Sequence, residues 1–441
     1  MSETNILQGK ERVLVNNAQN DSIRTKKRGN TIRKTLLSLL LLVFLIGLTL
    51  SLGVISGLIG IHFPQLTGSY AVGRINYDLL DPSRKEPFLN NPHARREIMV
   101  TVYYPAHPPA NAQPAPYVEG QMADRLASKV HLPAVAVQLI HTHAYEQVPI
   151  AQGSFPVALF SPGIGTPPVE YTSTVEDLAS HGYIVAMLYH TYSVPFTVFA
   201  DGRVALINDA GIRFENEPTG TSDAQTNQDR NAIGSVWVAD ARFTLDQLTK
   251  LNVDDKLLKG HLNLAEVGMY GHSFGGATAA EVCREDRRFK ACINMDGTAF
   301  TMTSSSQITQ PLLWMASDYS QVTDSQLQQV QLTRREFNAK MQQRNKERET
   351  FVQSLKLGYV LVLKGSTHST YITDEALLGP VVPGLGDPLA TIDGVRAVTV
   401  INAYVSAFFD TYLKQQQTNL LNGDSTRYPE VSLLSVHSPS R

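Results

Sequence analysis

A serine at a tight, glycine-lined corner is the first feature of this chain that suggests chemistry. It lies in the segment VGMYGHSFGGATAAEV, Val267 to Val282, where an apolar run meets a glycine and an alanine-rich helical pattern follows. Gly271 and Gly275 stand two residues before and two residues after Ser273, where a Cβ would crowd a sharp strand-to-helix corner. The spacing is that of the nucleophile elbow G-x-S-x-G, and we therefore predict that Ser273 is a nucleophile.

A serine hydroxyl needs a neighbouring base, and His368 is the best placed of the twelve histidines. It follows the last predicted strand, in VLVLKGSTHSTY, and lies downstream of the serine as the order serine, acid, histidine requires. His272 adjoins the serine, but neighbouring residues at such a corner point in different directions, so we expect a structural role for it. His190 ends the run VAMLYH and either lines the site or packs beside it.

The third group must be a carboxylate that holds the imidazole in its working tautomer. Two residues compete for this role. Asp296 follows the strand after the elbow, in INMDGTAF, and Asp318 follows the next strand, in LLWMASDYS. Many enzymes of this kind take the acid from the later position, so the pattern by itself slightly favours Asp318.

Short apolar runs alternate with helical patterns from about Leu66 onward. The predicted strands are 96–105, 155–163, 183–188, 267–270, 289–296, 310–317 and 358–365, and the predicted helices are 169–182, 238–251 and 395–413. This alternation predicts an α/β fold with a doubly wound, mostly parallel sheet. In such a sheet, sites form at the carboxyl ends of the strands, where the elbow serine is placed.

Two insertions and a tail interrupt this pattern. The first insertion, Ala106 to Ser154, is rich in proline at its start and carries the apolar run LPAVAVQLI. The second, Gln321 to Lys356, is polar, and we predict a surface helix there. The tail, residues 416–441, is predicted to be polar and extended.

The N-terminus combines a basic flank with a long uncharged run. Residues 1–34 hold eight Lys or Arg, and Thr35 to Ile61 contains no charged side chain. About 20 apolar residues suffice to cross a bilayer, whereas the apolar core of a cleavable signal peptide spans only about 7–15. We predict a basic cytoplasmic tail (1–34), a transmembrane signal anchor (35–61) and an extracytoplasmic catalytic domain (66–415), or a secreted protein if the segment is cleaved.

The composition excludes some classes of protein. The 441 residues are 43% hydrophobic and 18% charged, and the net charge of -2 gives no reason to expect a nucleic acid partner. The two cysteines, Cys283 and Cys292, form either a disulfide in an oxidising compartment or two buried free thiols. Two cysteines without paired histidines do not complete a zinc shell, so no metal site is predicted. The sequence leaves the oligomeric state open.

Several blocks together resemble one known family. LTGSYAVG at Leu66, VYYPA at Val102, LFSPGIG, LASHGYIVAMLYH, GHSFGGAT and KGSTHS are similar, in this order, to blocks of the plasma-type platelet-activating factor acetylhydrolases. These are secreted, calcium-independent phospholipase A2 enzymes with bacterial relatives, and the resemblance spans Leu66 to Leu413. It implies an α/β-hydrolase fold. It also implies that the acid is the residue after the strand following the elbow, which is Asp296 rather than Asp318.

An acyl-transfer site also needs two N–H donors for the oxyanion. One should be the backbone N–H of Phe274, directly after the nucleophile. The resemblance implies that the other is the N–H of Ile164 in FSPGIG. This sequence carries Pro162 where the family often has histidine, but the donor lies two residues later, so we expect catalysis to survive the change.

The expected reaction is ester hydrolysis through an acyl-enzyme on Ser273, without a metal or an organic cofactor. The resemblance implies phospholipid substrates with a short or oxidised sn-2 acyl chain, and the signal anchor would hold the enzyme at the membrane. A general carboxylesterase or lipase acting on short-chain or polymeric esters is the second hypothesis. A third hypothesis is a membrane-tethered binding protein that has lost turnover.

Overall fold

The computed structural model describes residues 33–49, 52, 63–215, 222–298, 300, 307–353, 355–380, 382 and 385–436. The chain divides into two compact units, Met1–Gly60 and Ile61–Arg441.

In the first unit, residues 33–49 form helix α1. Among the described residues, no helix is both long enough and apolar enough to cross a membrane. The predicted transmembrane segment 35–61 is therefore not supported. Its residues 50, 51 and 53–61 lie outside the described part of the chain, as do residues 1–32 of the predicted cytoplasmic tail.

The second unit alternates strands and helices. Its strands are β1 (Ala71–Lys85), β2 (Arg95–Ala106), β3 (Ala144–Glu146), β4 (Phe155–Ser161), β5 (Ile184–Tyr189), β6 (Phe196–Val198), β7 (Val204–Leu206), β8 (Leu262–His272), β9 (Phe289–Met295), β10 (Leu312–Ser317), β11 (Gly358–Leu363) and β12 (Val431–Val436). Its α-helices are α2 (Gly120–Lys129), α3 (Ala134–Gln138), α4 (Thr172–Ser180), α5 (Asp223–Asp254), α6 (Phe274–Glu285), α7 (Asp324–Gln329), α8 (Arg334–Gln353), α9 (Thr373–Leu378) and α10 (Gly394–Leu413).

Ten of these strands form one sheet in the order β12-β11-β10-β9-β8-β4-β5-β2-β1-β3. The six central strands, from β11 to β5, pair in parallel. Antiparallel pairs are confined to β5–β2, β2–β1 and β11–β12, toward the two edges. The prediction of an α/β fold with a mostly parallel sheet is confirmed.

The central strands are buried on both faces, which explains their nearly continuous apolar sequences. Every residue of β4 and β5 is buried. Along β4, Ala158 and Phe160 join one core cluster, which α4 and α10 cover. Val157 and Leu159 join the other cluster, which α5 and α6 cover. Helices on both faces make the sheet doubly wound, as the alternating sequence pattern predicts.

The C-terminal tail differs from its prediction. Residues 431–436, in the segment expected to be a polar extension, form β12 and pair antiparallel with the whole of β11. The strand buries its first and last residues, Val431 and Val436, while Leu434 remains exposed. A short edge strand of this kind has too few buried positions to stand out from a polar tail. The ordered domain therefore extends beyond the predicted boundary at residue 415.

The two cysteines form a disulfide between α6 and β9. Of the two interpretations open from the sequence, the structure shows the cross-link and not the free thiols. The bond joins the helix that begins directly after Ser273 to the strand that ends directly before Asp296. It therefore ties together two elements that position the candidate site.

Candidate active site

Ser273 lies between β8 and α6 in a backbone conformation that side chains rarely adopt, with φ 54° and ψ -119°. Such strain persists only where the surroundings enforce it, and it is typical of functional sites. The surroundings here are tight. A Cβ at Gly271 would lie 2.5 Å from the carbonyl oxygen of Ser161, and a Cβ at Gly275 would lie 2.1 Å from the same oxygen. Only glycine fits at either position, so the elbow packs directly on the end of β4.

The structure brings Ser273, His368 and Asp296 into one hydrogen-bonded line. The Ser273 hydroxyl lies 2.9 Å from His368 Nε2, and His368 Nδ1 lies 2.7 Å from Asp296 Oδ2. His368 begins a short 3₁₀ turn after β11, and Asp296 follows β9. The neighbouring strands β8, β9, β10 and β11 are parallel, so their carboxyl ends deliver the three side chains to one edge of the sheet.

The two candidate carboxylates have different partners. Asp318 accepts hydrogen bonds from the backbone N–H and the hydroxyl of Ser320. Asp296 accepts from His368 and, through Oδ1, from the backbone N–H and the hydroxyl of Ser317. The geometry thus favours Asp296 as the acid. Because the carboxylate donates nothing and accepts from all these groups, its orientation toward His368 is fixed.

A residue that the sequence reasoning missed also contacts this acid. Arg344 of α8 donates from Nη2 to Asp296 Oδ2 at 2.6 Å. Burial alone would raise the pKa of Asp296, but the hydrogen bond with His368 and the charge of Arg344 bring it below its ordinary value. A signal for Arg344 was present in the sequence, because Phe337 and Phe351, the buried residues of α8, stand seven positions before and after it.

The loop after β4 contains the second predicted oxyanion donor, Ile164. The N–H of Gly163 donates to the Tyr171 hydroxyl at 3.1 Å, and the N–H of Gly165 donates to the Ser193 carbonyl at 3.0 Å. Both neighbours of Ile164 are therefore tied to the body of the domain. A Cβ on Gly275 would lie only 2.4 Å from the Pro162 carbonyl oxygen, so this loop packs against the turn that carries Phe274.

His272, which we expected to be structural, joins two loops of the site. Its Nδ1 lies 2.8 Å from the Tyr171 hydroxyl, and its Nε2 lies 3.0 Å from the backbone carbonyl of His368. The carbonyl can only accept, so Nε2 carries the proton and Nδ1 accepts from the tyrosine. Burial and the nearby His368 hold the pKa of His272 well below its usual value, which keeps the ring neutral.

His190 packs behind the site and does not line it. Its Nε2 lies 2.9 Å from the Ser161 hydroxyl, its Nδ1 lies 2.9 Å from Asp240, and its ring stacks on Trp237 at 3.8 Å between centroids. The side chain is fully buried. Of the two interpretations open from the sequence, the structure supports packing.

An apolar cluster surrounds Phe274 at the start of α6. Its ring lies 4.8 Å from those of Trp237 and Phe300 and 5.3 Å from that of Phe214, between centroids. Ile164, partly buried, packs against the same cluster. The two residues predicted to bind the oxyanion, Phe274 and Ile164, therefore both pack in this apolar cluster. In the described ranges, no group of three or more His, Cys, Asp or Glu is arranged to hold a metal ion.

This arrangement can perform nucleophilic acyl transfer. The Ser273 hydroxyl has a base within hydrogen-bonding distance, the base is oriented by a buried carboxylate, and a helix begins at the nucleophile. The N–H groups of the first turn of α6 have no partners within the helix and point their positive dipole end toward the site.

Comparison with known proteins places this chain in a family. The family model described as platelet-activating factor acetylhydrolase, isoform II, matches residues 59–427. A platelet-activating factor acetylhydrolase from Cavia porcellus is 28% identical over 296 residues, which are 63% of this chain and 64% of that protein, a little under two thirds of its length. A probable 1-alkyl-2-acetylglycerophosphocholine esterase from Arthroderma benhamiae is 24% identical over 406 residues, covering 84% of this chain and 93% of the relative.

Solved structures give a consistent result. A ferulic acid esterase from Streptomyces cinnamoneus matches 85% of this chain and 98% of its own, with a TM-score of 0.67 and 27% sequence identity. The family match covers most of the chain, including the elbow, the acid and the histidine. The chain belongs to the platelet-activating factor acetylhydrolase, isoform II, family of carboxylic ester hydrolases.

Proposed function

We propose that this protein is a serine esterase that works through an acyl-enzyme. The observation that carries the proposal is the line from Ser273 through His368 to Asp296, with contacts of 2.9 and 2.7 Å. As the serine oxygen attacks the ester carbonyl, its proton passes to His368 Nε2. Asp296 stabilises the imidazolium that forms.

The remaining steps use the same groups. The negative charge of the tetrahedral intermediate lies on the former carbonyl oxygen, where the N–H groups of Phe274 and Ile164 donate to it. The bond between the acyl carbon and the ester oxygen of the leaving alcohol breaks as His368 donates the proton to this ester oxygen. Water, deprotonated by His368, then attacks the acyl-enzyme, and the Ser273 oxygen leaves with the proton. No step requires a metal or an organic cofactor.

The proposed substrates are phospholipids with a short or oxidised sn-2 acyl chain. The family supports this choice, and so do the names of the relatives from Cavia porcellus and Arthroderma benhamiae, which specify acetyl ester hydrolysis. The apolar cluster of Phe274, Phe300 and Trp237 packs around the first residue of α6 and is consistent with an apolar ester.

A general carboxylesterase is the second candidate. One observation favours it: the structure from Streptomyces cinnamoneus, whose name specifies a ferulic acid esterase, aligns with 85% of this chain at a TM-score of 0.67. A protein of similar fold is therefore named for an ester that is not a phospholipid.

The test compares substrates on the full-length protein, with Ser273→Ala as the control. Hydrolysis is measured on phosphatidylcholines with acetyl, butyryl and long sn-2 chains, and on p-nitrophenyl esters of matched acyl length. Fast release of acetate from the phospholipid, absent in the variant, is the expected result. Turnover of the simple esters alone would favour the general carboxylesterase, and turnover of neither class would leave a binding protein as the better interpretation.

We also propose that the catalytic domain works outside the cytoplasm. The disulfide between Cys283 and Cys292 supports this location, since such bonds persist in oxidising compartments. Thiol alkylation of the protein before and after reduction provides the test. Two thiols that become reactive only after reduction are expected, and two thiols alkylated without reductant in the denatured protein would contradict the proposal.

A further inference from the structure

Helix α8 belongs to the polar insertion, yet one of its side chains reaches the triad. Phe337 and Phe351 are the buried residues of the helix, and they define the side that packs on the domain. Arg344 lies midway between them and therefore projects from the same side. Its side chain remains 37% exposed, while that of Asp296 is 4% exposed.

The contacts of Arg344 are specific to the acid and its surroundings. Nη2 lies 2.6 Å from Asp296 Oδ2 and 3.3 Å from the Ser317 hydroxyl. The guanidinium carbon lies 5.6 Å from the centre of the Tyr319 ring, and the Tyr319 hydroxyl accepts a hydrogen bond from the backbone N–H of His368 at 2.8 Å. One arginine thus contacts both the acid and the residue that holds the loop of the base.

We propose that Arg344 is a positioning residue that fixes Asp296 toward His368 and extends the activity of the enzyme to lower pH. The proposal rests on the esterase function proposed above. Arg344 reaches the reaction only through Asp296, so it is not itself a catalytic residue.

The positioning effect follows from the shared oxygen. Asp296 Oδ1 accepts from Ser317, and Oδ2 accepts from His368 and Arg344 together. Charge-assisted hydrogen bonds are short and strong, so the carboxylate is restrained from both sides. Without Arg344, the Oδ2 atom would be held by His368 and the Ser317 hydroxyl.

The pH effect follows from the charge. An imidazolium at His368 is stabilised by the negative charge of Asp296, and the positive charge of Arg344 on the same oxygen offsets part of that attraction. Loss of the arginine charge should therefore move the acidic limb of the activity profile upward.

Three of the titratable groups around the pair add no charge of their own. Burial raises the pKa of Tyr319 and raises the pKa of Tyr371 well above its ordinary value, so both stay neutral. Burial lowers the pKa of His272 well below its usual value, so it stays neutral too. Glu347, three residues after Arg344 on α8, carries a negative charge that acts on the arginine and reduces its effect without removing it.

The experiment compares variants of the full-length protein in which the charge of α8 changes at one position. Arg344→Gln and Arg344→Met both remove the charge, and the methionine also keeps an aliphatic stem against Tyr319. Arg344→Lys keeps the charge. Lys346→Gln, two residues away on the exposed side of the same helix, removes an equal charge that does not point at Asp296.

Two readouts are recorded between pH 4.5 and 9. One is kcat/KM for p-nitrophenyl acetate and for phosphatidylcholine with an sn-2 acetyl chain, with kcat and KM determined separately for each. The other is the rate at which a fluorophosphonate probe labels Ser273, which reports the serine–histidine pair without requiring the correct substrate. Thermal unfolding of each variant shows which of them remain folded.

The neutral variants should move the acidic limb of both profiles upward by about 0.5 to 1 pH unit. They should lower kcat at the plateau and leave KM for the simple ester within about twofold. Arg344→Lys and Lys346→Gln should keep the acidic limb at the wild-type position. Rescue by lysine is the part of this result that a purely structural arginine would not produce.

Three results for the variants would overturn the proposal. A neutral variant that loses activity with an unmoved limb would make Arg344 a packing residue. Arg344 also lines a cavity of about 390 Å³ beside Asp296, so a raised KM confined to phospholipids, again with an unmoved limb, would make it a headgroup ligand. A limb that moves equally in Lys346→Gln would indicate a general charge effect.

If the wild type is labelled but hydrolyses no phospholipid, the substrate proposal fails while the labelling profile still decides the role of Arg344. Absence of labelling at every pH would overturn both.

Discussion

Among the residues that the structure describes, two serine–histidine–aspartate–arginine arrangements occur, and one of them has the features of an active site. The outer set is Ser273, His368, Asp296 and Arg344, and the inner set is Ser161, His190, Asp240 and Arg96. In both sets the serine hydroxyl lies 2.9 Å from Nε2. In both sets Nδ1 lies within 2.9 Å of the aspartate, and an arginine lies 2.6 Å from the aspartate oxygen that the histidine contacts.

The two sets differ in the exposure of their side chains to solvent. All four side chains of the inner set are fully buried, whereas His368 and Arg344 in the outer set are each 37% exposed. Ser161 ends the extended strand β4, and its carbonyl oxygen is covered by the two elbow glycines. The Ser161 side chain is fully buried, so an ester cannot reach its hydroxyl in this conformation.

The electrostatic surroundings also differ. Asp240 faces two arginines, since Arg84 lies 2.9 Å from its second oxygen, and Glu86 balances the charge of Arg96. Burial and these arginine charges lower the pKa of His190 against the opposing effect of Asp240, so the ring stays neutral. Hydrogen-bond geometry alone therefore does not make a catalytic triad. The outer set also has an exposed path, a strained nucleophile and a helix N-terminus.

The largest expected effect is the difference in kcat between variants of the two serines. Ser273→Ala should lower kcat by about 10⁴-fold or more, because it removes the nucleophile. Ser161→Ala should keep kcat within about tenfold and cost about 1–3 kcal/mol of unfolding free energy, because it leaves His190 Nε2 buried without a donor. Steady-state kinetics on p-nitrophenyl acetate and denaturant unfolding measure both quantities.

Labelling with the fluorophosphonate probe gives an independent check on the serines. The adduct should map to Ser273 in the wild type and in Ser161→Ala, and it should be lost in Ser273→Ala. An adduct on Ser161 would show that burial does not exclude the inner set from reaction.

The next comparison concerns the two aspartates. Substitution of Asp296 should mainly lower activity, and substitution of Asp240 should mainly lower stability. Asp296→Asn should lower kcat by about 10⁴-fold, since the amide no longer stabilises the imidazolium or the working tautomer. Its effect on stability should be small because Arg344 is partly exposed. Asp240→Asn should instead cost about 3–5 kcal/mol, because Arg96 is then buried without a full counter-charge.

Both variants are measured by guanidinium unfolding and by kcat at a temperature at which each remains folded. The distinction between the sets would collapse if Asp240→Asn proved as stable as the wild type and lost activity as severely as Asp296→Asn.

The sequence was sufficient to predict the parts of the site that depend on local constraints. The elbow follows from sterics at Gly271 and Gly275, and the alternation of strands and helices predicts the sheet. The acid was harder, because Asp296 and Asp318 follow consecutive strands and local sequence does not say which of them faces the histidine. Family resemblance favoured Asp296, and the structure places that residue beside His368.

The features that were missed depend on long-range packing. Arg344 lies in an insertion whose orientation toward the sheet is set by tertiary contacts, and only its spacing from Phe337 and Phe351 hinted at a packed position. The edge strand β12 has six residues and a partner, β11, more than sixty positions earlier in the chain. The inner set was equally hidden, because it unites residues from β2, β4, α5 and the end of β5.

The smallest expected effect concerns His272, the histidine that belongs to neither set but connects the loops of the outer one. A chain of hydrogen bonds runs from the Gly163 N–H through the Tyr171 hydroxyl and the His272 ring to the His368 carbonyl. His272→Phe keeps the ring volume and removes both bonds. We expect kcat to fall about 10- to 100-fold, because the lost bonds hold the oxyanion loop and the base in fixed relative positions. KM for a small ester should stay within about twofold of the wild-type value.

The matched control for His272 is Tyr371→Phe. Tyr371 stacks on the same imidazole at 6.2 Å between centroids, but its hydroxyl lies outside this chain of bonds, so kcat should stay near the wild-type value. The acidic limb of the pH profile should be unchanged in His272→Phe, because the ring is neutral throughout the working range. A loss as deep as that of Ser273→Ala, together with substantial activity in His368→Ala, would instead identify His272 as the base. That result would overturn the assignment of the outer set.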